Sequence, residues 1–146
     1  MSPDFNDLLR TFNEHEVEYL VVGAHALAAH GHVRATKDLD VWIRPDQANA
    51  EKTLAALKDY GAPLHDLSGD DLMKPGTVFQ IGMPPLRIDV LTSIDGVTFD
   101  DAWSDRVHVD FGSQATSVIS RRHLILNKKA SGRLQDLADV ERLEIS

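Results

Sequence analysis

The sequence predicts an α/β (α+β) fold, a mixed β-sheet flanked by helices and finished by a C-terminal helical pair. Three observations predict it. Stretches with apolar residues at helical spacing alternate with short apolar or alternating runs of strand length. Breaks rich in Gly, Pro and Asp separate them, and none is long enough to be a linker between domains. The composition, 42% hydrophobic and 26% charged over 146 residues, suits a single core, so residues 1–146 are expected to form one domain.

The elements follow in order. Asp4–His15 reads as a helix, with Ser2 as its cap and Phe5, Leu8, Leu9 and Phe12 on one face. Val17–Val22 is a compact apolar run that suits a buried strand, and the Ala-rich stretch Gly23–Gly31 suits a short helix. Asp38–Ile43 alternates polar and apolar residues as a strand does and is stopped by Arg44-Pro45. Gln47–Tyr60 is an amphipathic helix ending before Gly61. The polar stretch Asp66–Gly76 is a loop with room for one short helix. Thr77–Ile81 and Leu86–Thr92 are strands around the turn Gly82-Met83-Pro84-Pro85, and Asp95-Gly96 marks another turn. Val107–Phe111 and Ala115–Ile119 pair around Gly112-Ser113. From Ser120 the pattern is helical, interrupted at Ser131-Gly132 and closing near Leu143.

Composition also excludes functions. No apolar run reaches membrane-span length, and the first residues lack the basic and apolar regions of a secretory signal, so a cytoplasmic location is expected. The absence of cysteine excludes disulfides, thiolate metal sites and thiol nucleophiles. A net charge of −8 opposes nucleic-acid binding except through a local basic patch or a bound cation. The basic residues do cluster, Arg121, Arg122, Lys128, Lys129 and Arg133 falling within thirteen positions, although the usual form of such a cluster is a solvated helix face. No His-Glu-x-x-His and no Gly-x-Ser-x-Gly occurs, which disfavours zinc hydrolysis and acyl transfer.

The chemistry is expected around Asp38-Leu39-Asp40. Residues two apart on a strand share a face, so both carboxylates project together and repel, a strain that a hard divalent cation relieves. Asp89, in Arg87-Ile88-Asp89-Val90-Leu91, would be a third carboxylate if its strand pairs beside the first. Paired only with Arg87, it would be structural. Gly23-Ala24 at a strand-to-helix junction lets the backbone approach a phosphate closely, with His25 nearby. Arg34, Thr36 and Lys37 could neutralise a polyphosphate or simply balance Asp38. Lys128 and Arg133 are candidates to reach an anion, oriented by Asp136 and Asp139; as surface ion pairs they would matter little.

Taken together, Gly23-Ala24, Arg34 through Asp40, Asp89 and Lys128 through Asp139 resemble the nucleotidyltransferase superfamily related to DNA polymerase beta. The likeness is to small bacterial members akin to AbiEii-type toxins. That resemblance implies a mixed-sheet fold binding a nucleoside triphosphate such as ATP with Mg²⁺, two ions in number, for which Mn²⁺ substitutes. It implies that Asp38, Asp40 and Asp89 ligate metal and serve catalysis, with Asp89 helping to deprotonate the acceptor. Gly23, Ala24, His25, Arg34, Thr36, Lys37, Lys128 and Arg133 would then form the nucleotide site, with Lys128 on the phosphates. The implied acceptor is a hydroxyl of RNA, protein or a small molecule, and the implied setting a toxin–antitoxin pair with an antitoxin partner. Gly23-Ala24 stands where the family usually has Gly-Gly or Gly-Ser, removing any hydroxyl contact from that position. A different class of function stays open on the same residues: a catalytically silent protein of this fold that binds nucleotide or a partner.

Overall fold

The computed structural model describes residues 3–33, 38–83 and 86–145. The expected Ser2 cap, the segment Arg34–Lys37 and the Pro84-Pro85 part of a turn lie outside them. Among the described residues the helices are α1 (Pro3–Glu14), α2 (Gly23–Ala29), α3 (Gln47–Tyr60), α4 (Phe99–Ser104), α5 (Arg121–Ser131) and α6 (Leu134–Ile145). The strands are β1 (Tyr19–Val22), β2 (Asp38–Ile43), β3 (Val78–Met83), β4 (Leu86–Leu91), β5 (Val107–Phe111) and β6 (Gln114–Val118). One sheet takes all six in the order β3-β4-β2-β1-β6-β5. It is mixed: β2 runs parallel to β4 and β1 to β6, while the other pairs are antiparallel.

The apolar faces build the core as their spacing requires. Phe5, Leu8, Leu9 and Phe12 of α1 are buried, and so are all four residues of β1. On β2, Leu39, Val41 and Ile43 are fully buried on one face, which sends Asp38 and Asp40 to the other. α3 begins where the Asp46 carboxylate accepts from the Asn49 amide at 2.8 Å. α5 begins where the Ser120 hydroxyl accepts from the His123 amide at 3.1 Å. Gly132, at φ +68°, turns the chain out of α5 so that α6 folds back along it, the C-terminal pair the sequence predicts.

Several bounds differ from expectation, among them β3, which runs on through Gly82 and Met83 where a turn is expected. α2 ends at Ala29, and β1 begins at Tyr19, two residues after Val17. The six-residue α4 was not foreseen, because it is too short to display a helical period; Thr98 caps it. The short helix for which the loop after α3 has room is a 3-10 turn, Asp71–Met73. No described helix is long and apolar enough to cross a membrane.

Candidate functional site

The site is built on the parallel pair β2–β4. Their register sets Asp38 opposite Arg87 and Asp40 opposite Asp89. Paired residues on neighbouring strands share a face, so Asp38, Asp40, Arg87 and Asp89 all project on the side away from Leu39 and Val41. The three acids therefore share one sheet face, but among the described residues they do not close into a group that could hold a metal ion, and the alternative in which Asp89 pairs with Arg87 is observed. The guanidinium donates from Nε to Asp89 Oδ1 at 2.9 Å and from Nη2 to Asp89 Oδ2 at 3.2 Å. The same Nη2 donates to Asp38 Oδ2 at 3.1 Å.

Asp40 sits deepest in the charge balance. Burial, reinforced by the charges of Asp89 and Asp38, pushes its carboxyl up to about 6, and Arg87 and Arg133 only partly oppose this. Against it lies Gly23, which leaves β1 at φ +67°. A side chain there would put its Cβ 2.3 Å from Asp40 Oδ2. The strand-to-helix turn thus needs glycine twice, for its backbone angle and for the room Asp40 occupies.

A cleft of about 230 Å³ opens beside these groups. Gly23, Asp40 and Leu91 form its floor, the loop Ser93–Asp95 one wall, and Asn127, Lys128, Ser131, Arg133 and Asp136 the other. The walls are tied together: Asn127 Nδ2 donates to the Asp95 carbonyl at 2.9 Å and Ser131 Oγ to Asp95 Oδ2 at 3.2 Å.

The chain matches, over residues 4–146, the model of a family described as "Nucleotidyltransferase of unknown function (DUF6036)". It belongs to this nucleotidyltransferase family. No curated protein matches it. Among solved structures, the lincosamide antibiotic adenylyltransferase LnuA, determined with lincomycin bound, is 13% identical at a TM-score of 0.61, covering 99% of this chain and 96% of that one. A nucleotidyltransferase-fold structure from Thermotoga maritima is 14% identical at 0.59, covering 97% and 88%. An antigenic nucleotidyltransferase-like protein from Paracoccidioides brasiliensis is 15% identical at 0.56, covering 93% and 71%. At these identities the likeness is one of fold.

In this nucleotidyltransferase the residues singled out in the sequence divide into groups. Asp38, Asp40 and Asp89 share a sheet face, and Gly23, Lys128 and Arg133 line the cleft beside Asp40. Arg34, Thr36 and Lys37 lie outside the described residues. The His25 ring meets Phe5 edge-on at 5.4 Å and tilts over Phe111 at 6.3 Å. Chiefly through burial, its pKa lies below the ordinary histidine value, which suits a neutral packing ring.

Lys128 makes more than a surface ion pair. Lys128 is only 4% exposed, and its Nζ contacts Asp139 Oδ2 at 2.9 Å and Asp136 Oδ1 at 3.5 Å. Gln135 Nε2 donates to the other Asp139 oxygen at 3.0 Å. Arg133 has a mostly exposed side chain and donates from Nε to Asp136 Oδ2 at 2.7 Å. Burial would raise the Asp136 carboxyl, yet the hydrogen bond and charge of Arg133, with Lys128 behind, hold it below the usual carboxylate range. The wall residues Ser93, Asp95, Asn127 and Ser131 were missed in the sequence. Asn127 and Ser131, four apart on one helix and flanking Lys128, carried the only signal.

Gly23→Ala tests the packing of the floor. The new methyl must displace the Asp40 carboxylate and hold a left-handed backbone angle, which together cost roughly 1–3 kcal/mol. Urea unfolding should show that loss, and nucleotidyl transfer should fall about 100-fold because a reacting group has moved by an ångström or so. Full activity in this variant would remove Asp40 from the chemistry.

Proposed function

We propose that this protein transfers a nucleotidyl group from a nucleoside triphosphate to a hydroxyl, with the acid face of β2–β4 as its reaction centre. The observation that carries the reading is the register itself, Asp40 beside Asp89 with Asp38 two residues away, and the cleft that Asp40 lines together with Gly23. Family membership and fold support it.

The donor chemistry suits Mg²⁺. Three hard carboxylates face one way, and Asp40, whose proton affinity is raised by burial first and by the charges of Asp89 and Asp38 next, would be relieved by a cation. Among the described residues no three acidic or histidine side chains already converge as a metal cage, and Arg87 pairs with both Asp38 and Asp89. Asp38, Asp40 and Asp89 would hold the metal, which when bound supplies charge neutralisation for the transferring phosphate and the leaving pyrophosphate. Gly23 and Ala24 offer backbone amides to the triphosphate, and Arg133 offers an exposed guanidinium. The acceptor hydroxyl oxygen forms a bond to the α-phosphorus, the bond to the pyrophosphate oxygen breaks, and the hydroxyl proton passes to a carboxylate oxygen of Asp89.

One observation favours the silent alternative: Asp38 and Asp89 are already engaged by Arg87. Transfer decides between them. Incubation with each α-labelled NTP, Mg²⁺ or Mn²⁺, and RNA, protein or small hydroxylated acceptors should label one acceptor class and release pyrophosphate. The small-molecule arm is included because LnuA is an antibiotic adenylyltransferase. The toxin reading adds growth arrest on expression, relieved by a cognate antitoxin. Asp89→Asn should lower transfer by about 10³-fold with the fold retained. Nucleotide binding without transfer to any acceptor would establish the silent reading.

A further inference from the structure

Resting on that reading of the site, we propose that Arg87 is a resident counter-cation of the acid face, which competes with the divalent metal for Asp89 and Asp38 and sets how readily the site accepts it. Arg87 lies on β4 directly opposite Asp38 and two residues before Asp89, so its side chain starts from the same face as the acids. Its fork then engages both oxygens of Asp89, at 2.9 and 3.2 Å, and reaches across the strand pair to Asp38 at 3.1 Å. One guanidinium thus spans two of the three carboxylates expected to hold metal.

A divalent ion sharing Asp89 and Asp38 would sit within a few ångströms of this fixed positive charge. The two cations repel at that distance, and so cannot both be held at full strength. The ion pair is only partly shielded from solvent, Arg87 being 32% exposed and Asp38 43% exposed. The guanidinium therefore has open space to swing into once a metal displaces it. Asp40 lies beside the pair and receives only the long-range part of this charge, which still offsets its acidic neighbours more than Arg133 does. Arg87 on this account is a positioning residue: it keeps Asp89 and Asp38 together before metal arrives and gives them up when it does.

The account sets a direction that a purely structural arginine would not. Removing a residue that only props the strands weakens metal binding, whereas removing a competitor strengthens it. Free Mn²⁺ remaining in solution can be followed by electron paramagnetic resonance during titration of purified protein without nucleotide. Arg87→Gln should bind Mn²⁺ about fivefold more tightly than wild type, the effect of losing one partly screened ion pair. It should also melt at a lower temperature without metal and regain more of that loss when Mn²⁺ is added. Arg87→Lys, which keeps a charge but not the fork, should fall between them and guards against misfolding of the first variant. Equal or weaker Mn²⁺ affinity in folded Arg87→Gln and Arg87→Lys would overturn the role of Arg87 while leaving the metal-dependent reading in place. No Mn²⁺ binding by wild type or either variant would overturn both.

Discussion

Asp40→Asn is expected to abolish nucleotidyl transfer while making the metal-free protein more stable. The first half follows from position: Asp40 faces Asp89 in register and lies on the floor of the cleft, and an amide is a poor ligand for a hard cation. Transfer should drop by at least about 10³-fold. The second half follows from burial and like charge, which push this carboxyl up to about 6 in the fold. A carboxyl raised in this way stabilises the fold fully only below its ordinary range near 4, and that contribution fades as pH rises through about 6. Near neutral pH the ionised Asp40 is therefore a burden of up to about 3 kcal/mol, which asparagine does not carry. Thermal melts without divalent metal should show the variant several degrees above wild type at pH 7.5, with the gap closing toward pH 4. A variant that melts no higher at pH 7.5, or that still transfers nucleotide, would contradict this.

Lys128→Met should be among the most damaging single changes away from the acid face. The ammonium is almost wholly enclosed and serves Asp139, which is fully buried, and Asp136, which is nearly so. Methionine fills the space but takes the ammonium away from both acids, while the Gln135 amide stays on Asp139 and Arg133 stays on Asp136. Breaking a buried pair from one side costs about 3–5 kcal/mol, because a charge is left behind without its partner. Urea unfolding should report a loss of that size. Adding Asp139→Leu to Lys128→Met should recover a large part of it, since the stranded charge is then gone. Full additivity of the two changes would show that the pair does not act as one unit.

Much of the fold is legible in the sequence because local signals carry it. β2 and α3 have the bounds expected from alternation, from Arg44-Pro45 and from the stop at Gly61. Gly132 breaks the final helices where Ser131-Gly132 predicts. The acid pair Asp38 and Asp40 is legible for the same reason, since a strand period of two is a local property. The partner of β2 is different: it is β4, reached after α3 and β3, and no local pattern encodes which strand pairs with which. That is why Asp89 could be read equally as a third acid or as a mate for Arg87, and the structure makes it both. The depth of Lys128 was hidden too, because it arises only when α6 folds back on α5.

The register of β2 against β4 has a consequence for the order in which the molecule comes into being. Asp40 and Asp89 are separated by α3 and β3, and the far wall of the cleft comes from α5 and α6 at the end of the chain. Contacts between such remote segments form late, after the entropy of closing the intervening loop has been met. A nascent polypeptide emerging from the ribosome as far as β3 has its first two acids but neither their neighbour nor a pocket. Synthesis must pass α5 and enter α6 before both walls of the cleft exist.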